Sequence, residues 1–266
     1  MPSIWNTSTR INYLTNNNMQ IPALAYHRVC SGFQVGLNGI PPSRFKSHIS
    51  GLANLGLSGR TTYDTLDDRS VLITFDDGYE SVYNFAYPIC ENYNFKGIVF
   101  TISDYIGKKN IWDINFGLNH HTHMNSRMLK NLSENGWEIA SHGCHHLSYS
   151  GLKYSEIYTD MAISKEVIEQ LTGNPVQSFT APYNMMVPVI FPIAQELGYK
   201  NIFVQKSISD MVYKTTLNVI ERRFVYSIDK FKTILKKIEN TSRLELYKEN
   251  FIHFCSSATI GVKELI

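Results

Sequence analysis

The sequence predicts an α/β barrel of about seven parallel strands, and three observations carry that prediction. Short apolar runs rich in Val, Ile and Phe recur along the chain. Between them lie stretches whose apolar residues repeat at three- and four-residue spacing, the signature of helices with one buried face. Strands separated by such helices pair in parallel, and six or seven units in 266 residues favour a closed or nearly closed barrel. Finally, titratable residues gather just after the apolar runs, at the strand C-termini where barrels of this type keep their chemistry.

The first strand spans Ile21 to Val29, opened by Pro22 where a missing N–H does least harm. A helix follows, with Ser43 as its expected cap, Phe45, Ile49, Leu52 and Leu55 on its apolar face, and Gly56 as its stop. Val71-Leu72-Ile73 reads as a buried strand running into Thr74-Phe75-Asp76-Asp77-Gly78. Ser81 to Tyr93 is expected to be helical, irregular near Pro88, and Phe95 to Ile102 is the next strand. A helix around Met128, Leu129 and Leu132 ends at Gly136, and Trp137 to Ala140 leads into Ser141-His142-Gly143-Cys144-His145-His146. A longer helix carrying Ile157, Met161, Ile168 and Leu171 stops at Gly173, followed by Ser178 to Tyr183. Two further units are Asn201 to Gln205, and Val219 to Val225 before a helix from about Ile228 to Ile238. The expected organisation is an N-terminal extension over 1–20, a barrel over 21–240 and a C-terminal extension over 241–266 packed on it.

A formal charge of +2 gives no electrostatic reason to invoke nucleic acid. Four scattered cysteines make neither a disulfide framework nor a paired Cys-x-x-Cys zinc site. The first nineteen residues lack the pattern of a secretory signal. The longest apolar run, Met185 to Ala194, is far shorter than the ~20 residues of a membrane span and contains two prolines. The expected location is the cytoplasm, with peripheral membrane association open.

Two adjacent carboxylates at the end of a strand suit two different jobs, because successive side chains leave a strand in opposite directions. One can ligate a metal while the other acts as a base, although Asp-Asp-Gly read alone also suits a turn. His142 and His146, four positions apart in a tight loop with Gly143 between them, suit two ligands on one ion. Two neutral imidazoles and one carboxylate make a three-ligand site with room for water.

Thr74-Phe75-Asp76-Asp77-Gly78, the Ser-His-x-x-x-His segment and Phe179-Thr180-Ala181-Pro182-Tyr183 resemble, in order and context, the motifs of the polysaccharide deacetylases, the nodulation-factor deacetylase type of carbohydrate esterase. The resemblance runs from Tyr26-His27-Arg28-Val29 to Arg223-Phe224-Val225. It implies a distorted (β/α) barrel that removes acetyl groups from N-acetylhexosamine units of a glycan or glycan precursor. It further implies Asp77, His142 and His146 as metal ligands, Asp76 as general base, and Tyr183 as a backbone donor to the oxyanion. The implied cofactor is a divalent ion, zinc by default for hydrolysis, with iron, cobalt or nickel also compatible with this donor set. An amide nitrogen must be protonated before it leaves, so the site also needs an acid. Relatives place a histidine in a C-terminal Leu-x-His strand; here the C-terminus offers only His253, and His27 is the better candidate. The chain would then be a circularly permuted version of the commoner arrangement.

The sequence departs from the family at the third motif. The relatives' Arg-x-Pro-Tyr-Gly is Thr180-Ala181-Pro182-Tyr183-Asn184, so the arginine expected to orient the base is missing. Arg223 is the expected substitute, with Arg222 on the opposite face as its control. His120, His121 and His123 are expected in a polar loop over the barrel mouth, Trp112 lines that mouth or the core, and Cys144 faces away from the ion. The competing activities are deformylation of a lipid-linked amino sugar and glycan binding without turnover.

Overall fold

The apolar runs pair side by side into a closed sheet. The computed structural model describes residues 21–32, 36–110, 121–206 and 215–252. Numbered along the chain, the strands are β1 (Ala23–Tyr26), β2 (Arg28–Val29), β3 (Gly39–Ile40), β4 (Ser58–Arg60), β5 (Ser70–Phe75), β6 (Ile98–Thr101), β7 (Glu138–Ser141), β8 (Ser178–Phe179), β9 (Asn201–Gln205) and β10 (Asn218–Phe224). Strands β5 to β10 run in spatial order, and β1 closes the ring by pairing in parallel with both β10 and β5. The barrel therefore has seven parallel strands; β4 adds to the start of β5, and β2 and β3 form a separate short pair.

The helices are α1 (Pro42–Asn54), α2 (Tyr87–Glu91), α3 (Ser126–Glu134), α4 (Tyr154–Thr172), α5 (Ile190–Glu196) and α6 (Phe231–Ile238). Their buried faces and the outward-facing strand residues form the main core, including Leu24, Phe45, Ile73, Trp137, Ile168 and Ile202. Alternate strand residues point inward: Ala23, Leu72, Ile98, Phe100, Ala140 and Phe203 fill the barrel, with the rings of Phe100 and Phe203 5.1 Å apart. Among the described residues no helix is long and apolar enough to cross a membrane.

Several local expectations change. The first strand is interrupted at His27, between β1 and β2. Helix α1 begins at Pro42, with Pro41 rather than Ser43 at the cap position and no side-chain cap; proline at a first turn costs nothing, since that N–H has no helical partner. The irregularity anticipated at Pro88 is a π-turn over Val82–Ala86 leading into α2, in which Tyr87 N–H reaches back to the Val82 carbonyl. A proline lacks the donor and its ring crowds the carbonyl four residues back, so widening the preceding turn relieves both problems. Helix α6 starts at Phe231 instead of Ile228, because the Asp229 carboxylate accepts from Tyr226 N–H and ties residues 226–229 into a turn.

Candidate active site and metal centre

Asp76 and Asp77 follow β5, and His142 follows β7, so all three stand at the same rim of the barrel. His142 Nε2 and His146 Nε2 each lie 3.4 Å from Asp77 Oδ1, and all three side chains are buried. A ligand atom from each comes within 4.8 Å of the others, close enough to share one cation. Burial by itself raises the Asp77 carboxyl, but the hydrogen bonds from His142 and His146 outweigh it and hold that group well below the usual carboxylate range. Desolvation likewise lowers His142, and the facing Asp77 and Asp76 carboxylates more than reverse it. A raised histidine facing a lowered carboxylate is the charge pattern that a divalent ion replaces.

The backbone is bent to make this arrangement. Asp77, His146 and Tyr183 all adopt positive φ, at 69°, 56° and 53°. Left-handed conformations are uncommon outside glycine and concentrate where a site demands them. Gly78, at φ 68°, completes the turn, and a Cβ there would stand 3.3 Å from Thr101 Oγ1. His142 Nδ1 faces the Thr180 carbonyl at 2.9 Å; a carbonyl only accepts, so Nδ1 carries a hydrogen, and Nε2, which faces Asp77, is the nitrogen that would give up its hydrogen to ligate a cation.

Asp76 has a different neighbourhood. It forms a two-pronged pair with Arg222, Nη1 to Oδ1 at 2.6 Å and Nη2 to Oδ2 at 3.2 Å. The guanidinium also donates to Thr74 Oγ1 and Thr180 Oγ1 and lies over the Phe100 ring. The expected partner, Arg223, is instead on the outer face, bonded to Glu249 and Asn240. Strand register decides between them. Arg222 is paired with Ala23, which faces the interior, while Arg223 is paired with Leu24, which faces the helices. The missing motif arginine is thus replaced, but by Arg222.

His27 shares the inward parity of Ala23 and Ala25. Asp76 N–H donates to the Tyr26 carbonyl, which sets His27 next to Asp76 on the neighbouring strand. The His27 ring is half-buried, 5.8 Å from the Phe224 ring, and near enough to Asp77 for its charge to act on that carboxylate. The Tyr183 ring packs 4.4 Å from that of His146. His253, Trp112 and His120 lie outside the described residues.

His123 departs from the surface-loop expectation. It is buried, stacked 4.8 Å from Tyr79, and its Nδ1 donates to the Asp77 backbone carbonyl at 2.7 Å. Together with Met124 N–H on Gly78 O, it clamps the turn that carries Asp77. Cys144 is buried and outside the Asp77, His142 and His146 set, as expected.

The family model for polysaccharide deacetylase matches residues 63–202, which contain both histidines and the paired aspartates. A Bacillus subtilis (strain 168) protein named "Putative polysaccharide deacetylase YxkH" is 27% identical over 195 residues, covering 70% of this chain and 64% of that protein. The chain therefore aligns with somewhat less than two thirds of that relative's length. A Staphylococcus aureus poly-beta-1,6-N-acetyl-D-glucosamine N-deacetylase is 24% identical over 245 residues, covering 81% of each. Among solved structures, the Streptococcus pyogenes deacetylase PplD superposes with a TM-score of 0.69 at 18% identity, over 82% of this chain and 98% of that one. It shows that the two share a fold. With the match spanning more than half of the sequence, and a closed seven-stranded barrel carrying the motif residues at its rim, the chain belongs to the polysaccharide deacetylase family, whose named members are hydrolases of amide C–N bonds.

Proposed function

We propose that the protein is a metal-dependent N-deacetylase of a polymer containing N-acetylglucosamine. The observation that carries this reading is the convergence of Asp77, His142 and His146 beside a separately held Asp76. The donor set fits a divalent ion: one carboxylate and two imidazoles, one of them with its tautomer set by a backbone carbonyl. Zinc is the first choice, with iron, cobalt and nickel alternatives for the same donors. When bound, the ion would acidify water and polarise the acetyl carbonyl.

The chain's own groups divide the remaining work. Asp76 takes a proton from water as its oxygen attacks the acetyl carbon. The Tyr183 backbone N–H donates to the oxygen that becomes negative. His27 gives a proton to the amide nitrogen as the C–N bond breaks, so acetate and a free amine leave. The likeness to an enzyme named for poly-beta-1,6-N-acetyl-D-glucosamine supports a β-1,6-linked substrate.

The test pairs elemental analysis with amine release from β-1,6- and β-1,4-linked N-acetylglucosamine oligomers and from an N-formyl analogue. Asp77→Ala should lose both metal and turnover. Asp76→Asn should keep the metal while kcat falls roughly 10²- to 10⁴-fold. His27→Ala should lose turnover on the amide while still cleaving an activated acetyl ester, whose leaving group needs no proton. Metal-loaded wild type that binds oligomer yet releases no amine would reduce the protein to a glycan-binding barrel, and preference for the formyl analogue would make it a deformylase.

A further inference from the structure

Between its two histidine ligands the chain folds back on itself, and one carboxylate from another element meets it there. Asp160, on α4, is buried. Its Oδ2 accepts from Cys144 N–H at 2.9 Å and from the Tyr149 hydroxyl at 2.7 Å. Its Oδ1 accepts from His145 N–H at 3.0 Å and from His145 Nδ1 at 2.7 Å. Two consecutive backbone amides of the loop therefore end on a single side chain, with two further donors completing its shell. Ser164, one helical turn along α4, adds a second tie through Ser141 Oγ at 2.8 Å, and Ser141 Oγ in turn accepts from Gly143 N–H.

The loop is shaped around that carboxylate. A Cβ on Gly143 would stand 2.6 Å from Asp160 Oδ2 and 2.9 Å from the Tyr149 hydroxyl, and Gly143 has φ 75°. Glycine is therefore required both by the conformation and by the close approach. Cys144, His145 and Asp160 have the residue types of a second metal cluster. However, both Asp160 oxygens already accept two hydrogen bonds each, which is the shell of an anchored carboxylate.

We propose that Asp160 is a positioning residue for the metal centre: by holding the amides of Cys144 and His145 it sets the spacing and aim of His142 and His146. Outer partners of metal ligands matter through this kind of orientation. The assignment rests on the metal-dependent reading above. An amide in place of the carboxylate would present an N–H₂ group to donors it cannot accept from, so Asp160→Asn breaks the anchor without removing bulk. Tyr149→Phe removes a single donor and keeps the shape.

The experiment measures affinity for Zn²⁺ by competition with a chromophoric chelator, and the visible spectrum of the Co²⁺-loaded protein, in wild type and both variants. Asp160→Asn should bind about 10- to 100-fold more weakly, with an altered Co²⁺ spectrum. Tyr149→Phe should show a smaller loss in the same direction. A role confined to fold stability would lower the melting temperature but leave affinity and spectrum unchanged. If both variants bind within twofold of wild type with unaltered spectra, the proposal is wrong while the metal reading stands. Should Asp160→Asn fail to fold, Tyr149→Phe decides alone, and unchanged binding there overturns the proposal. If wild type itself binds no divalent ion, both the proposal and its parent reading fall.

Discussion

Arg222 and Arg223 are adjacent in sequence and have opposite tasks. Arg222 points into the barrel and grips Asp76 with both Nη atoms; Arg223 points out and grips Glu249. That neighbours on a strand diverge was legible from the sequence, but which of them faces inward was not. The run Asn218-Val-Ile-Glu-Arg-Arg-Phe224 has no clean apolar alternation, so its register is set by the pairing with β1 and not by its own pattern. His123 was hidden for a similar reason, since its contact with Asp77 spans 46 residues and leaves no local trace. The paired aspartates and the two histidines were readable because each set lies within one short motif at a strand end. The grip on Asp76 yields a prediction. Lysine keeps the charge of Arg222 but is a point donor that cannot hold two carboxylate oxygens in plane. Arg222→Lys should therefore lower kcat on N-acetylglucosamine oligomers by up to about a hundredfold, as misplaced catalytic groups do, with KM little changed. Steady-state kinetics checks this, and an unaltered kcat would show that orientation of Asp76 is not what Arg222 contributes.

Among the elements, strands and helices with strong periodicity were legible, while those shaped by tertiary contacts were not. Strand β8 is two residues long and exists because β7 and β9 flank it. Helix α1 shows how a polar residue can be read as helix yet belong to the core. His48 lies on its buried face with Phe45, Ile49 and Leu52. Its Nε2 meets the Asp229 carbonyl at 3.0 Å and its Nδ1 meets the Tyr26 hydroxyl at 3.2 Å. A carbonyl only accepts, so Nε2 carries the hydrogen, Nδ1 accepts from Tyr26, and a neutral ring satisfies both. Burial accordingly pushes the His48 pKa down to about 4, partly opposed by the hydrogen bond to Asp229. An ordinary histidine in the unfolded chain titrates near 6.5. Below that pH the unfolded state takes up a proton that the folded state refuses. The contribution of His48 is therefore complete above about pH 6.5 and is lost as pH falls towards 4, by about 2 kcal/mol at pH 5. Denaturant unfolding at pH 7 and pH 5 should show a smaller drop in His48→Gln than in wild type, whatever the variant's absolute stability. Equal drops would mean that the ring is charged in the fold.

At the scale of the molecule, the barrel is closed by its first strand and buttressed from outside by its last described segment. Closure by β1 is what places His27 beside Asp76, as the position of His27 ahead of the Asp76 strand implied. The buttress was less visible, because it consists of charges that usually mark a surface. Glu249 is buried between Arg223 and Lys237, at 2.9 Å and 3.1 Å. Lys237 also reaches Asp229 at 2.7 Å and donates to the Phe224 carbonyl, so β10, α6 and the chain beyond α6 share one network. A buried network of this kind adds little net stability over an apolar replacement, but deleting Glu249 leaves the buried Arg223 with no carboxylate, only the Asn240 side chain, while Lys237 keeps Asp229. Glu249→Ala should thus cost about 3–5 kcal/mol of unfolding free energy, a fall in melting temperature of roughly 5–10 °C for a chain of this size. Because the network lies on the outer face of β10, the same variant assayed well below its melting temperature should keep the wild-type kcat. Arg222→Lys should do the reverse. A Glu249→Ala protein that melts normally, or that is fully folded and inactive, would break this separation between an inner face that positions chemistry and an outer face that holds the barrel shut.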